Sequence, residues 1–515
     1  MNPIELGLFV SRLEAICGEM GATLRRAAFS PNIKDRLDFS CAIFTADGDL
    51  CAQAAHIPVH LGSMAYAMRD LVQRLAWQAG DMVVVNDPYL GGTHLPDVTL
   101  IAPVFVGEEL IAFCANRAHH ADIGCPSPGS MPLARSLDEE GLVLEPRYYL
   151  RAGRTDAATR RVLEQGLRNP AATLGDFAAQ VSANRTGVAR LGALVERGTP
   201  RDFRAALDAL DEYAQTLACG MVRELPDGVY RHSDAMDGDG IAATRVPIAL
   251  TLTIAGERVT LDFTGTGPQV AGNINCPLAV TAAAAYYVFY ALMPRATPPC
   301  AGSLRVLDLV VPRGCLLNAE APAAVAAGNV ETSQRVVDVV LGALAQAVPA
   351  RIPAASQGTM NNVAMGGPGW DYYETLAGGT GAHADGDGLS AVHSHMTNTL
   401  NTPVEVLEMS YPLRVTRYAV RRNSGGAGHH RGGDGLVREY AFLAPASVTL
   451  LGERRELAPP GLAGGAPGQP GRNRLNGELL PGKCERHVRA GERLRIETPG
   501  GGGWGSGRNS LRGVR

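Results

Sequence analysis

Two short clusters of histidine and aspartate flank an apolar hairpin early in the chain, and the rest of the sequence is organised around them. The first cluster lies in the run Asn86-Asp87-Pro88-Tyr89-Leu90-Gly91-Gly92-Thr93-His94-Leu95-Pro96-Asp97. The second lies in the run His119-His120-Ala121-Asp122-Ile123-Gly124. Between the clusters, the apolar runs 98–106 and 110–114 are typical of two strands joined by a tight turn at 107–109. Because the outer ends of a hairpin lie side by side, we expect the two clusters to converge.

Imidazole and carboxylate groups that converge from two turns can bind a divalent metal ion, and histidine also suits proton transfer near neutral pH. The sequence predicts metal ligation by Asp38, His94, Asp97 and His120. It predicts catalytic roles beside the metal for His119 and Asp122. Mixed nitrogen and oxygen ligation does not choose among Zn²⁺, Mn²⁺ and Fe²⁺. Further candidates for the site are His56, His60, His393 and His395.

The alternative interpretation of this stretch is turn chemistry alone. The pairs Asp87-Pro88 and Gly91-Gly92 favour tight turns in any fold, and we interpret Asp87 as a turn residue. Taken one at a time, the histidines are more often hydrogen-bonded structural residues than ligands. Taken together beside glycine hinges, they favour a metal or acid–base site.

Composition excludes several classes of function. The 515 residues are 46% hydrophobic and 19% charged, as in a globular protein, and this length predicts roughly two to four domains. The net charge of −4 argues against a nucleic-acid-binding surface, which is normally basic. No apolar run approaches the roughly 18 residues of a membrane helix. The start of the chain, 1–5, lacks the basic region of a signal peptide, and the ten cysteines include no CxxC pair. We therefore predict a cytoplasmic protein with reduced thiols.

The pattern along the chain predicts an α+β fold with mixed sheets, long helices and a glycine-rich C-terminal β region. Helical periodicity is predicted over 4–27, 64–78 (with Ser63 as the cap) and 155–222, and strand patterns begin at Tyr230. Composition suggests three domains: 1–225 with the His/Asp site, 226–350 of α/β type and 351–515 rich in glycine. Within 155–222, one helical face carries Asp176, Gln180 and Asn184, and a polar stripe of this kind is usually a solvated surface.

The sequence lacks the motifs of a self-contained nucleotide enzyme. The one Gly-Lys pair, Gly482-Lys483, is followed by Cys484, so the phosphate-binding GxxxxGK[ST] loop is missing. The GxSxG nucleophile elbow is missing as well. We predict no cofactor-binding residue of this type, and the chemistry left to the chain is that of carboxylates and imidazoles.

Several blocks of the chain together resemble the hydantoinase B/oxoprolinase family, in the order in which the family carries them. The blocks are Ser30–Ser40, His56–Gly62, Asn86–Asp97, His119–Gly124, Tyr373–Thr375 with Gly378-Gly379, His395–Thr399, and Ser424–Gly428 with Arg431–Gly433. The resemblance covers about residues 3–505. It implies the B-type subunit of an ATP-dependent hydantoinase, related to subunits of acetone and acetophenone carboxylases.

The resemblance also implies a division of labour. A hydantoinase A-type ATPase subunit would phosphorylate the substrate, and the B-type subunit would complete the hydrolysis at a divalent metal in a hetero-oligomer. The expected substrate is a cyclic amide such as a hydantoin, N-methylhydantoin or 5-oxoproline. The resemblance assigns the metal to Asp38, His94, Asp97 and His120, with His119 and Asp122 beside it. Two alternatives stay open: a subunit of an ATP-dependent ketone carboxylase, and a non-catalytic scaffold for the ATPase.

Overall fold

A computed structural model describes residues 1–54, 56–242 and 244–507. Within these residues the chain forms helices α1–α10, which span Pro3–Ala27, Pro31–Lys34, Pro58–Gln73, Ala157–Gly166, Pro170–Val195, Pro200–Arg223, Leu278–Leu292, Ala301–Leu304, Ser333–Ala347 and Val404–Ser410. Strands β1–β10 span Phe39–Thr45, Leu50–Gln53, Met82–Val85, Asp97–Val106, Glu109–His119, Arg147–Arg151, Arg154–Thr155, Gly228–Met236, Val246–Ala255 and Arg258–Asp262. Strands β11–β20 span Leu307–Val310, Asn362–Gly367, Trp370–Glu374, Leu413–Arg421, Gly435–Phe442, Ala446–Leu451, Arg472–Leu475, Glu478–Leu480, Lys483–Val488 and Arg493–Glu497.

A seven-stranded antiparallel sheet in the order β2-β1-β5-β4-β3-β6-β7 carries the hairpin at its centre. The long helices α1 and α5 pack together and against this sheet. They bury apolar side chains such as Leu13, Met20 and Leu191 against Cys41 and Cys114. Helix α3 contributes Met64 and Met68 to a separate core with Phe44 and Phe113. Helices on both faces therefore keep the centre of the hairpin away from solvent.

The polar stripe of α5 is buried, so the prediction of a solvated surface was wrong. Gln180 and Asn184 are fully buried, and Asp176 is nearly so. Gln180 Nε2 donates to the carbonyl of Val98, and Asn184 Nδ2 donates to that of Leu100. The stripe pairs with β4 because backbone groups on that strand need partners in the core.

Helix α3 starts earlier than its sequence predicts. Pro58 occupies the first helical turn, where a missing N–H costs nothing, and the helix runs to Gln73. Ser63 therefore lies inside the helix, and its hydroxyl donates to the carbonyl of Val59 rather than capping a terminus. The earlier start places His60 in the first turn, beside the end of the hairpin.

The remaining strands form three sheets in the described part of the chain. One is the mixed sheet β11-β10-β9-β8, on which α9 packs, with α7 against α9. The other two are β13-β12-β16-β19 and β14-β15-β20-β17-β18. These last two sheets bury a common core that includes Met365, Tyr440 and Ile496. The predicted α+β class, with mixed sheets, long helices and a glycine-rich C-terminal β region, is confirmed.

Four glycine-rich segments, 378–381, 424–433, 461–468 and 499–503, lie against one another through their backbones, and we call them the glycine bundle. Gly501 donates to the carbonyl of Gly433, and Gly433 donates to that of Thr380. An ideal Cβ on Gly433 would lie 1.9 Å from the carbonyl oxygen of Leu389. Because backbones approach so closely here, the bundle has no room for a side chain at Gly433.

The two domain boundaries suggested by composition stay predictions. The core around the mixed sheet combines Ile57, Leu250 and Met396, one from each predicted segment. Among the residues that the structure describes, no helix is both long enough and apolar enough to cross a membrane.

Candidate metal centre

The hairpin brings the two His/Asp clusters together as its pattern predicts. β4 begins at Asp97 and β5 ends at His119, and these two residues are direct cross-strand partners. Residues directly opposite each other in an antiparallel pair place their side chains on the same face of the sheet. The ends of the two strands therefore deliver a carboxylate and an imidazole to one point.

The fully buried carboxylate of Asp97 is the centre of the site. Its Oδ1 atom lies 3.1 Å from His94 Nε2 and 3.1 Å from His119 Nδ1. Its Oδ2 atom lies 3.1 Å from His60 Nε2. Oδ2 also accepts hydrogen bonds from Thr93 Oγ1 at 2.6 Å and Asn329 Nδ2 at 3.2 Å. Three imidazoles, a hydroxyl and an amide thus surround one carboxylate.

The electrostatics of the cluster favour a charged Asp97. Burial alone would raise the pKa of this carboxyl, but His94 and His60 outweigh it and hold the pKa well below its usual range. For His94 burial works to lower the pKa, yet the adjacent Asp97 raises it overall. For His119 burial prevails and lowers the pKa in spite of Asp97. The centre therefore holds a fixed negative charge that attracts a cation.

The ring of His94 is oriented as in a metal ligand. Its Nδ1–H donates to the carbonyl of Ala326 at 3.2 Å, because a carbonyl can only accept. In the neutral ring this leaves a lone pair on Nε2, which faces Asp97 Oδ1. Glu140, whose pKa burial raises to about 8, accepts the N–H groups of Val325 and Ala326 at 2.8 Å and so fixes the peptide that holds the ring. A proton or a metal ion between Nε2 of His94 and Oδ1 of Asp97 would interact favourably with both atoms.

The donor set fits a divalent metal ion. Within the described residues, His94, Asp97 and His119 form one group whose potential ligand atoms all lie within 4.8 Å of one another. Nε2 of His119 is buried and lacks a hydrogen-bond partner among the described residues, and the neighbour of Nε2 of His94 is the carboxylate of Asp97. Two histidines with one carboxylate could hold Zn²⁺, Mn²⁺ or Fe²⁺.

Asp38, a predicted ligand, lies next to this group rather than within it. Its Oδ1 is 3.9 Å from His60 Nε2, and its Oδ2 is 3.6 Å from the Arg36 guanidinium. The carboxylates of Asp38 and Asp97 therefore both face His60, which the sequence analysis gave only as a further candidate for the site. The pair Thr93 and Asn329 was not among the predicted site residues, and Asn329 lies too far along the chain for spacing to reveal it.

The other two predicted residues lie apart from Asp97. His120 follows His119 on an extended backbone and turns to the opposite side, where Nε2 lies 2.9 Å from Gln180 Oε1 and the ring packs on Phe177. Asp122 accepts the N–H groups of Gly124 and Asn169, which is the role of a turn residue. We therefore propose His119 as the ligand in place of His120.

Substitution of His120 by Ala tests this choice. The variant loses a buried hydrogen bond to Gln180 and packing on Phe177, so we expect the free energy of unfolding to fall by about 1–3 kcal/mol. Metal content, measured by inductively coupled plasma mass spectrometry, should equal that of the wild type. Loss of the metal at unchanged stability would make His120 a ligand after all.

The remaining histidine candidates have other surroundings. His56 Nδ1 accepts the N–H of Cys41 at 3.0 Å, and His395 Nδ1 lies 3.4 Å from the Tyr287 hydroxyl. Neither nitrogen of His393 has a partner within the described residues. These three rings therefore lie outside the group around Asp97.

The burial of His56 predicts a pH dependence of stability. Burial lowers its pKa to about 4, with His60 adding to the effect, whereas an unfolded histidine titrates near 6.5. Above about pH 6.5 both states are neutral; as the pH falls toward 4, only the unfolded state takes up the proton. Relative to a His56→Gln variant, the wild type should lose up to about 3 kcal/mol between pH 7 and pH 4.5. Urea unfolding of both proteins at the two pH values measures this loss. An equal change in the free energy of unfolding for the wild type and His56→Gln would contradict the prediction.

A chamber of about 20 Å³ adjoins the carboxylate, and it is closed by side chains from distant segments. Tyr373 stacks on His119 at 4.6 Å between ring centroids, and the Arg36 guanidinium lies 4.9 Å from the centroid of the Tyr373 ring. The Tyr373 hydroxyl donates to Asn362 at 2.7 Å, which fixes the ring. The chamber holds about one water molecule or ion, so water is largely excluded from the centre.

Comparison with known proteins identifies the family of the chain. A model described as hydantoinase B/oxoprolinase matches residues 2–507, and the chain belongs to that family. It is 40% identical to 5-oxoprolinase 1 of Arabidopsis thaliana over 98% of this chain but only 42% of that protein. It is 32% identical to a Pseudomonas protein named as the B-type subunit of a D-/L-hydantoinase, over 98% of this chain and 90% of the other. The crystal structure of the ATP-dependent caprolactamase from Pseudomonas jessenii superposes with a TM-score of 0.92 at 28% identity, covering 98% and 91% of the two chains.

Proposed function

We propose that this chain is the B-type subunit of a cytoplasmic, ATP-dependent cyclic-amide hydrolase. Its substrate is a hydantoin, N-methylhydantoin, 5-oxoproline or a similar lactam. The observation that carries the proposal is the buried Asp97 carboxylate with its three imidazoles in a member of this family. The names of the relatives, a 5-oxoprolinase, a B-type hydantoinase subunit and a caprolactamase, support a cyclic amide as the substrate class.

His94, Asp97 and His119 would hold the divalent ion, which is Zn²⁺, Mn²⁺ or Fe²⁺. When bound at such a site, the ion lowers the pKa of water and polarises the amide oxygen. Thr93 and Asn329 orient Asp97 through hydrogen bonds to its second oxygen. Tyr373 and the closed chamber exclude bulk water, which strengthens every charge interaction at the reacting atoms.

His60 is the residue best placed to move a proton. Its Nε2 lies 3.1 Å from Asp97 and 3.9 Å from Asp38, while Ser40 Oγ lies 3.4 Å from Nδ1. A histidine between two carboxylates can take a proton from the attacking water and return it to the departing nitrogen. We propose this role for His60, a role that the sequence had suggested for His119 and Asp122.

The proposal requires an ATPase partner. An unstrained amide is a poor electrophile, and phosphorylation of its oxygen makes the ring carbon a better one. Water attacks that carbon, the ring C–N bond breaks with a proton delivered to the nitrogen, and hydrolysis of the resulting acyl phosphate releases phosphate. The sequence contains no phosphate-binding GxxxxGK[ST] loop, so the phosphoryl transfer is assigned to a hydantoinase A-type subunit in a hetero-oligomer. The length of the 5-oxoprolinase relative, of which this chain spans 42%, leaves room for such a unit in the same polypeptide.

The test is reconstitution of the chain with its ATPase partner. Hydantoin, 5-oxoproline and ε-caprolactam are each incubated with ATP, and ring opening and phosphate release are measured together. Ring opening that requires ATP and both subunits supports the proposal. ATP hydrolysis that depends on bicarbonate and a ketone would replace it with the carboxylase, and complex formation without any turnover would favour the scaffold.

A further inference from the structure

A second, larger cavity lies beside the metal centre. Its volume is about 660 Å³, and it opens between α1, α3, α7 and the segment 295–300. That volume falls within the roughly 300–1,000 Å³ of small-molecule sites. None of the roles described above uses this cavity.

The segment 56–60 lines both the cavity and the chamber at Asp97. His56 and Pro58 line the cavity, whereas Ile57, Val59 and His60 line the chamber. Alternate residues of the same segment therefore face the two spaces. The segment 395–399 meets the segment 56–60, because Asn398 Nδ2 donates to the carbonyl of His56 at 3.1 Å.

The volumes of the chamber and of the larger cavity limit which molecules each can hold. A chamber of about 20 Å³ accommodates about one water molecule or ion and excludes a ring of several heavy atoms. A cyclic amide that reacts at Asp97 must therefore bind in a larger space before it passes the segment 56–60. The larger cavity shares the segment 56–60 with the chamber and has sufficient volume.

The lining of the cavity suits a small neutral ring with an amide group. Tyr286, Tyr287 and Tyr290 provide aromatic faces along α7, beside alanine and proline side chains. The Oε1 atom of Gln53 is buried and has no hydrogen-bond partner among the described residues, so it can accept the N–H of an amide. The charged lining residues, Glu14 and Arg295, are both exposed, which leaves the interior uncharged.

We propose that this cavity is an antechamber that binds the neutral cyclic amide before it enters the metal centre. The inference rests on the function proposed above and adds a binding site to it. Gln53 recognises the amide N–H, and the tyrosines of α7 hold the ring. The segment from His56 to His60 then controls entry to Asp97.

Saturation-transfer NMR on the full chain tests the antechamber, with hydantoin and ε-caprolactam as separate probes. Ala65 lines the cavity, so Ala65→Trp fills part of it and should raise the Kd of each probe about tenfold or more. Gln53→Leu keeps the side-chain volume but removes the acceptor, and it should raise the Kd about threefold to tenfold. Ala205→Trp, on the exposed face of α6, is the matched control and should bind as the wild type does. Metal content and the thermal midpoint are measured for every variant.

Unchanged affinity in folded Ala65→Trp and Gln53→Leu would overturn the antechamber. So would failure of the wild type to bind either probe while it retains its metal and its ATP-coupled activity. Loss of probe binding on addition of the ATPase subunit would identify the cavity as a docking surface instead. Probe binding by a wild-type chain that has no metal and no activity would contradict the proposed function but would support the binding site.

Discussion

Asp97→Asn is expected to remove the bound metal ion and, with it, ATP-coupled ring opening. Asparagine keeps the shape of the side chain, so Thr93 can still donate to the retained oxygen, but the negative charge at the centre of three imidazoles is lost. Loss of a residue that only orients a ligand typically costs about 10–100-fold in metal affinity. Loss of the ligand charge itself should therefore lower the metal affinity by more than about 100-fold.

Metal content and turnover of the reconstituted complex measure this outcome. His94→Ala should behave in the same way, because the lone pair on Nε2 is then missing. His120→Ala, on the opposite side of the same strand, is the matched control and should keep its metal. Wild-type metal content and activity in Asp97→Asn would exclude the centre from the reaction.

Gly433→Ala is expected to prevent stable folding of the C-terminal part of the chain. The new methyl group would lie 1.9 Å from the carbonyl oxygen of Leu389, which is backbone and cannot move alone. Gly433 also bonds to Thr380 and Gly501, so a local shift breaks hydrogen bonds on both sides. Overpacking of this severity belongs to the rare substitutions that cost about 4–5 kcal/mol or more.

Gly220→Ala provides the matched control in a helix. No atom lies within 4 Å of a Cβ built at Gly220, inside α6. Alanine there should stabilise the chain by about 0.5–1 kcal/mol, because it lowers the backbone entropy lost on folding. Denaturant unfolding compares the two variants, and similar stability for both would show that the bundle tolerates side chains.

The sequence predicted the hairpin and the meeting of its ends because both follow from local pattern. Two apolar runs and a short turn define β4 and β5, and antiparallel pairing then brings Asp97 beside the end of β5, where His119 and His120 lie. The choice between His119 and His120 could not be made in the same way. Adjacent strand residues point to opposite faces, and the pairing of β4 with β5 shifts by one residue between Val104 and Phe105, so that His119 shares the face of Asp97. The apolar runs do not reveal this shift.

Other parts of the site depend on contacts that no local pattern encodes. Asn329 and Tyr373 reach the hairpin from more than two hundred residues away in sequence. The stripe Gln180 and Asn184 resembles a solvated helix face, yet it serves the backbone of β4. Polar residues on a helix predict hydrogen bonding, but whether the partner is water or protein is decided by tertiary packing.

The glycine bundle also constrains the order in which the protein can be completed during synthesis. Gly500–Gly503 is enclosed by earlier segments, since Gly501 bonds to Gly433 and Gly502 bonds to Ala355. Domains generally fold from the N-terminus as they leave the ribosome, but this central segment is translated after all of its neighbours. The glycine bundle therefore cannot form until residue 503 has been translated. Until then, the backbone donors and acceptors of its earlier segments are exposed to water. A chain whose synthesis ends shortly before this point would contain every residue of the candidate metal centre, but its glycine bundle could not form.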